Sequence, residues 1–298
     1  MNDFVIGIDV GGTNTPVGLI DSARRIVASE SFPTSPDPES GIREMIRVVE
    51  CLLKGAERVV GIGIGVPGRV RDGQAWCKPN LPRWLGVPFV DELSNRFSLR
   101  VVLDNDANVA ALGEAAAGAG KGFDRIALLT LGTGIGGGTV VAGKVMHGST
   151  GLASEFGHII VQPEGPCCNC GQRGCLEALA SATVVAARAQ KRMKKKLTCA
   201  EVFQQAAAGD QSAIKLVDET AYWLAMGCVS ISHFMDPDVL LLAGGMTAAG
   251  PWFLQTVQSH FDRLYWTQFP EKPKLLYAAL GNKAGLIGAG ELVRQTVE

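Results

Sequence analysis

Hydrophobic and turn-forming residues alternate along the chain in a way that predicts a mixed α/β protein. Val5-Ile6-Gly7-Ile8-Asp9-Val10 is a β-rich run, Gly11-Gly12-Thr13-Asn14 turns, and Val17-Gly18-Leu19-Ile20 continues as a second strand. Pro16 disfavours a helix opening at that point. The same figure returns about 120 residues later. Ile126 to Leu131 reads as a strand, the glycines from Gly132 to Gly138 as a turn, and Thr139-Val140-Val141 as a strand again. Two strand–glycine turn–strand figures predict a duplicated architecture with one copy per domain.

Helical periodicity fills the intervals. Ile42, Met45, Ile46, Val49, Leu52 and Leu53 fall at helical spacing within 39–54. Further helices are expected over 89–97, 105–118, 178–192, 198–208, 212–235, 251–264 and 284–297, with strands at 99–103, 239–242 and 274–278. No low-complexity linker separates the halves. The boundary is expected near Gly118 to Gly122, giving domains of residues 1–118 and 119–283, with the final helix (284–298) packing back on the first domain.

Composition adds limits. The chain has 298 residues, 47% apolar and 19% charged, with net charge −1, which describes a globular protein without polyelectrolyte character. The local run Lys191-Arg192-Met193-Lys194-Lys195-Lys196 reads as a solvated helix end. The N-terminus has no positive n-region, and the longest apolar stretch, Ile126 to Gly143, is broken by threonines and glycines. Together with the thiols, these features lead us to expect a cytoplasmic protein without a membrane span.

Gly151 to Glu177 carries the most specific chemistry. His158, Cys168, Cys170 and Cys175 supply one imidazole and three thiolates, a closed tetrahedral set for structural zinc, and Gly171 and Gly174 let the loop curl. Cys167 is an alternative to Cys168. Glu155 and Glu177 flank these ligands as candidates for another task. Cys51, Cys77, Cys199 and Cys228 are expected to be buried small hydrophobes.

Two loops, Gly63 to Gly68 and Gly132 to Gly137, satisfy G-x-G-x-x-G, and Asp9 to Gly12 resembles it loosely. A dinucleotide fingerprint requires the turn to open a helix. Gly68 is followed by a turn-like stretch and Gly138 by a β run, so that reading is set aside. Glycine turns can still converge N–H groups on oxyanions, with Thr13 and Thr133 adding hydroxyls. With the pair Gly244-Gly245 after a third strand, they favour a nucleotide cleft between two domains. Asp104-Asn105-Asp106 falls where a strand passes into a helix. Asp106 is therefore either a base near a substrate hydroxyl or a helix N-cap.

Taken together, Asp9-Val-Gly-Gly-Thr13, Asn105-Asp106-Ala-Asn108, Leu131-Gly-Thr-Gly134, Glu155-Phe-Gly-His158 and Cys168-Asn-Cys-Gly-Gln-Arg-Gly-Cys175-Leu-Glu177 resemble the ROK family of repressors, open reading frames and sugar kinases, essentially end to end. The resemblance implies a two-domain actin-like, ribonuclease H-like ATPase fold closing over ATP and a hexose. By it, Asp106 is the general base on the sugar 6-hydroxyl. Asn80, Asn105, Glu155, His158 and Glu177 hold other hydroxyls, with Gly68 lining the pocket. Gly11, Gly12, Thr13, Thr133 and Gly134 hold phosphates, Gly244 and Gly245 lie near the adenosine, and Asp9 acts through Mg2+. A homodimer is also implied. Asn14 stands where the family often has lysine, and Pro16 is unusual there.

The function expected is ATP-dependent phosphorylation of glucose or a related hexose or N-acetylhexosamine at the 6-hydroxyl. The alternative is a sugar-responsive regulator. Its DNA-binding branch carries an N-terminal helix-turn-helix, for which a first strand at about Val5 leaves no room. A zinc-dependent NAD dehydrogenase would need an open metal position, which four protein ligands do not leave. Pro79 to Trp84 looks glucokinase-like, but short motifs do not fix the sugar.

Overall fold

In a computed structural model, the protein is described over residues 3–71, 74–77, 82–84, 87–268 and 271–297. In chain order the elements begin with β1 (Phe4–Asp9), β2 (Asn14–Ile20), β3 (Ile26–Pro33), α1 (Pro38–Leu53), β4 (Val59–Val66), β5 (Arg69–Arg71) and β6 (Gln74–Cys77). They continue with α2 (Phe89–Phe97), β7 (Arg100–Asn105), α3 (Asp106–Ala117), β8 (Arg125–Leu131), β9 (Ile135–Val141) and β10 (Lys144–Val145). The remainder comprises α4 (Glu177–Ala180), α5 (Ala182–Met193), α6 (Cys199–Ala207), α7 (Gln211–Met235), β11 (Val239–Ala243), α8 (Pro251–Leu264), β12 (Lys274–Tyr277) and α9 (Ala284–Val297).

The chain divides into two compact units. The first holds Met1–Asp124, Gly138–Ala153 and Ala279–Glu298; the second holds Arg125–Gly137 and Ser154–Ala278. Two five-stranded sheets, ordered β3-β2-β1-β4-β7 and β10-β9-β8-β11-β12, share one plan: the first strand of each lies at the centre, with the next two strands on one side and two later ones on the other. The duplicated strand figures of the sequence are thus the starts of two like sheets.

In the first unit, β1, β4 and β7 run parallel and β2 and β3 complete the sheet antiparallel. One face carries α1, whose stripe of Ile42, Met45, Val48, Val49 and Leu52 joins Ile6, Ile8, Ile62, Ile64 and Trp84 in a core. Cys51 falls off that stripe and is exposed, which corrects its expected burial; Cys228 is buried, Cys199 is partly so, and the side chain of Cys77 lies outside the described set.

β3 and β4 do not follow from the hydrophobic pattern. β3 is mostly exposed, so its sequence does not alternate cleanly. β4 reads Val-Val-Gly-Ile-Gly-Ile-Gly-Val and resembles a glycine loop. Its glycines serve packing: a Cβ on Gly63 would lie 1.7 Å from the carbonyl oxygen of Ala289, and one on Gly61 would lie 2.5 Å from Val293. The strand lacks side chains on one face so that α9 can lie directly on it.

The second unit packs α5 to α8 with the parallel strands β8, β11 and β12 around a core that includes Leu129, Leu131, Phe203, Leu224, Leu242, Phe253 and Phe261. Asp210 caps α7 and a Thr198–Glu201 capping box starts α6. The helix expected over 178–192 is two helices, broken at Ser181. The N–H of Ala182 bonds the carbonyl of Gly132 (2.9 Å), and Thr183 Oγ1 donates to the carbonyl of Thr133 (2.7 Å). The break ties α5 to the glycine turn. That turn spans only Gly132 to Gly134, since β9 already begins at Ile135. Among the described residues no helix is long and apolar enough to cross a membrane.

Candidate active site

The carboxyl ends of the first unit's parallel strands present a row of acids. Register pairs Asp9 with Gly65 and Gly65 with Asp104, and Asp106 opens α3 two residues later. Asn105, not Asp106, is the N-cap. Its Oδ1 accepts from the N–H groups of Ala107 (2.8 Å) and Asn108 (3.1 Å), and its Nδ2 donates to the carbonyl of Gly68 (3.0 Å). The cap is thereby filled by Asn105, and Asp106, half-buried in the first turn, accepts a hydrogen bond at Oδ1 from the N–H of Ala107 (2.8 Å). Burial and then the charge of Asp106 push the Asp9 carboxyl up to about 7. Two carboxylates in one site resist simultaneous ionisation until a cation joins them. That makes Asp9 and Asp106 a fitting surround for Mg2+ brought by a nucleotide. The adjoining turn exposes Gly12 and Thr13, and apart from its chain neighbours no residue lies within 4 Å of a Cβ built on Gly12. Packing does not demand that glycine; close approach of a ligand would.

The second unit brings together His158, Cys168, Cys170 and Cys175, with ligand atoms within 4.8 Å of one another. Cys168 Sγ is 3.7 Å from His158 Nδ1, and Cys170 Sγ is 3.6 Å from Cys175 Sγ. Tetrahedral zinc would hold its donors roughly 3.5–3.8 Å apart. Gly171 and Gly174 have φ of +92° and +71°, the left-handed bends that turn the loop on itself. Burial, then contacts with Cys170 and Cys168, push the Cys175 thiol up to about 12; a cation among the three sulfurs would favour the thiolate form instead. The donor set fits zinc. Cys168, not Cys167, belongs to it: Cys167 is exposed, and Arg173 Nη1 donates to its sulfur at 3.1 Å.

Glu177 joins the cluster to the glycine turn. Its Oε2 accepts from the N–H of Ile135 (2.9 Å), while Oε1 lies 4.0 Å from Cys168 Sγ. Gly134 packs against this carboxylate, where a Cβ would sit 2.3 Å from Oε2. Glu155 is exposed just before the short turn that carries His158. Asn80 lies outside the described residues. Beside Gly132, Thr133 and Gly245, a cavity of about 430 Å³ is walled by Phe203, Met246 and Trp252. It suits a flat apolar ring system. Sequence reasoning missed those walls because aromatic residues at helical spacing look the same whether they line a cavity or fill a core.

These features define a two-domain α/β protein of the actin-like kind, with a row of acids in one unit and a thiolate–imidazole cluster in the other. The chain belongs to the ROK family, whose profile matches residues 5–296. It is 36% identical to a glucokinase from Halalkalibacterium halodurans, over 98% of this chain and 95% of the relative. The ROK hexokinase from Thermus thermophilus superposes with a TM-score of 0.90 at 33% identity, covering 99% of this chain and all of the other. A ROK family glucokinase from Streptomyces griseus, solved with glucose and AMPPNP, gives 0.84 at 33% identity over 98% and 99%. A xylose repressor from Bacillus subtilis is 28% identical over 97% of this chain and 77% of its own length.

Proposed function

We propose that the protein is an ATP-dependent hexose kinase that transfers the terminal phosphate to a sugar 6-hydroxyl, with Asp106 as general base. The carrying observation is the Asp9–Asp106 pair at the carboxyl ends of β1, β4 and β7: two acids whose mutual repulsion a metal-bound nucleotide relieves. Phosphoryl transfer proceeds through a loose transition state, so alignment and charge neutralisation matter more than a strong base. Asp106 accepts the proton as the hydroxyl oxygen bonds phosphorus and the bridging oxygen leaves with ADP. Asp9 would hold Mg2+ through a water, and the ion would neutralise phosphate charge.

Glu155, His158 and Glu177 are assigned to sugar hydroxyls, together with Asn80 and the second N–H of the Asn105 amide. Zinc on Nδ1 of His158 would fix that ring and leave Nε2 for the sugar. Gly11, Gly12, Thr13, Thr133 and Gly134 are assigned to phosphates, and Gly244 and Gly245 to the adenosine, whose ring fits the neighbouring apolar cavity. The glucokinase relatives match at higher identity and over nearly their full length, which favours a kinase over a regulator. By the family resemblance the working form is a cytoplasmic homodimer, which light scattering tests for its stoichiometry.

The test is ADP release across glucose, N-acetylglucosamine, N-acetylmannosamine, allose and fructose. At least one sugar is expected to drive ADP release with formation of its 6-phosphate. ADP release that no sugar stimulates would contradict the reading.

A further inference from the structure

His147 follows β10 and belongs to none of the motifs above, yet its Nε2 lies 2.6 Å from Oδ2 of Asp104. Asp104 is 1% exposed and stands two residues before Asp106. Its Oδ1 accepts from the N–H of Asn105 (2.7 Å) and from Nδ2 of Asn108 (3.0 Å). An ionised carboxylate only accepts, so Asn108 must present its amide nitrogen and His147 an N–H. The imidazole is half exposed, and its hydrogen bond to Asp104 holds it in the protonated form to higher pH than usual.

The contacts continue. Asn105 caps α3 and donates to the carbonyl of Gly68. The next residue, Arg69, donates Nε to the carbonyl of Thr150 (2.8 Å), three residues beyond His147. Within the same segment the N–H of Ala153 bonds the carbonyl of His147 (3.2 Å). A closed ring results, running Gly68, Asn105, Asp104, His147, Thr150, Arg69 and back to Gly68. It contains the cap of the helix whose first residue is Asp106, and His147 is its one link through a half-exposed imidazole.

We propose that His147 is a positioning residue for Asp106: it closes the ring and supplies the positive partner of buried Asp104, fixing the cap on which the base depends. The proposal rests on the reading of Asp106 as base. Without His147 the Asp104 carboxylate would keep its two amide donors and lose its cation. The first turn of α3 would then be held from one side only. Misplacement of a reacting group by about 1 Å can cost on the order of a hundredfold in rate.

The test compares wild type, His147→Ala, His147→Gln, Asp106→Ala and the His147→Ala/Asp106→Ala double variant in the ADP-release assay with saturating sugar and Mg-ATP. His147→Ala is expected to lower kcat about tenfold to a hundredfold, with both KM values within about threefold. His147→Gln, which donates a hydrogen bond without charge, should recover part of the loss. In the Asp106→Ala background, the second change should alter residual turnover by less than about twofold, because the group being positioned is gone. Wild-type kcat in His147→Ala, or an equal loss in both backgrounds, would overturn the proposal. Near-normal turnover of Asp106→Ala would instead remove the base assignment itself. If His147→Ala does not fold, His147→Gln alone and combined with Asp106→Ala gives the same comparison.

Discussion

Glu177 holds the N–H of Ile135 with one carboxylate oxygen at 2.9 Å while the other lies 4.0 Å from Cys168 Sγ. One side chain therefore touches both the strand that leaves the Gly132–Gly134 turn and the cysteine cluster. A change in the cluster should reach the Gly132–Gly134 turn through this carboxylate.

Cys170→Ser removes one of four donors. Structural zinc can contribute on the order of 10 kcal/mol at its site, so the variant should lose bound metal and melt at lower temperature. The KM for sugar should rise with the loss of His158 and Glu177 geometry. Elemental analysis and thermal unfolding check this; a variant with wild-type activity and no zinc would refute it.

Gly63 and Gly12 should respond in opposite ways to alanine. A Cβ at Gly63 meets the carbonyl of Ala289 at 1.7 Å, whereas one at Gly12 meets nothing within 4 Å. Gly63→Ala is expected to cost about 1–3 kcal/mol or more, since backbone on backbone has little room to relax. Gly12→Ala should leave the urea midpoint unchanged and raise the KM for ATP. Equal stability losses in the two variants would contradict the assignment of Gly12 to a ligand.

His147 makes stability depend on pH. Its pKa is raised in the fold, first by the hydrogen bond to Asp104. The stability it contributes is therefore fully present below the unfolded value of about 6.5 and is lost as pH rises through the raised folded value. Discounted for half exposure, the effect should be under about 1 kcal/mol. Urea midpoints of wild type and His147→Gln should differ more at pH 6 than at pH 9. A difference that grows with pH would have the wrong sign.

Much of this site is legible in the sequence. The spacing of His158, Cys168, Cys170 and Cys175 announces a convergent loop, and β1 and β8 declare themselves through short, mostly apolar runs that end at turns. What escapes depends on partners distant in sequence. Gly63 of β4 has its meaning against α9, more than 200 residues later, and Asp104 gains its role only when the chain returns with His147. Ser181 breaks a continuous helical pattern because α5 is anchored to Gly132 and Thr133, a tertiary contact that local propensity does not encode.

The central claim is that Asp106 takes the proton from a sugar hydroxyl during phosphoryl transfer. It is tested most directly by the sugar-dependent ADP release of wild type and Asp106→Ala at saturating Mg-ATP. Turnover should fall about a hundredfold to ten-thousandfold in the variant, with KM values little changed. Equal turnover by the two proteins would contradict it.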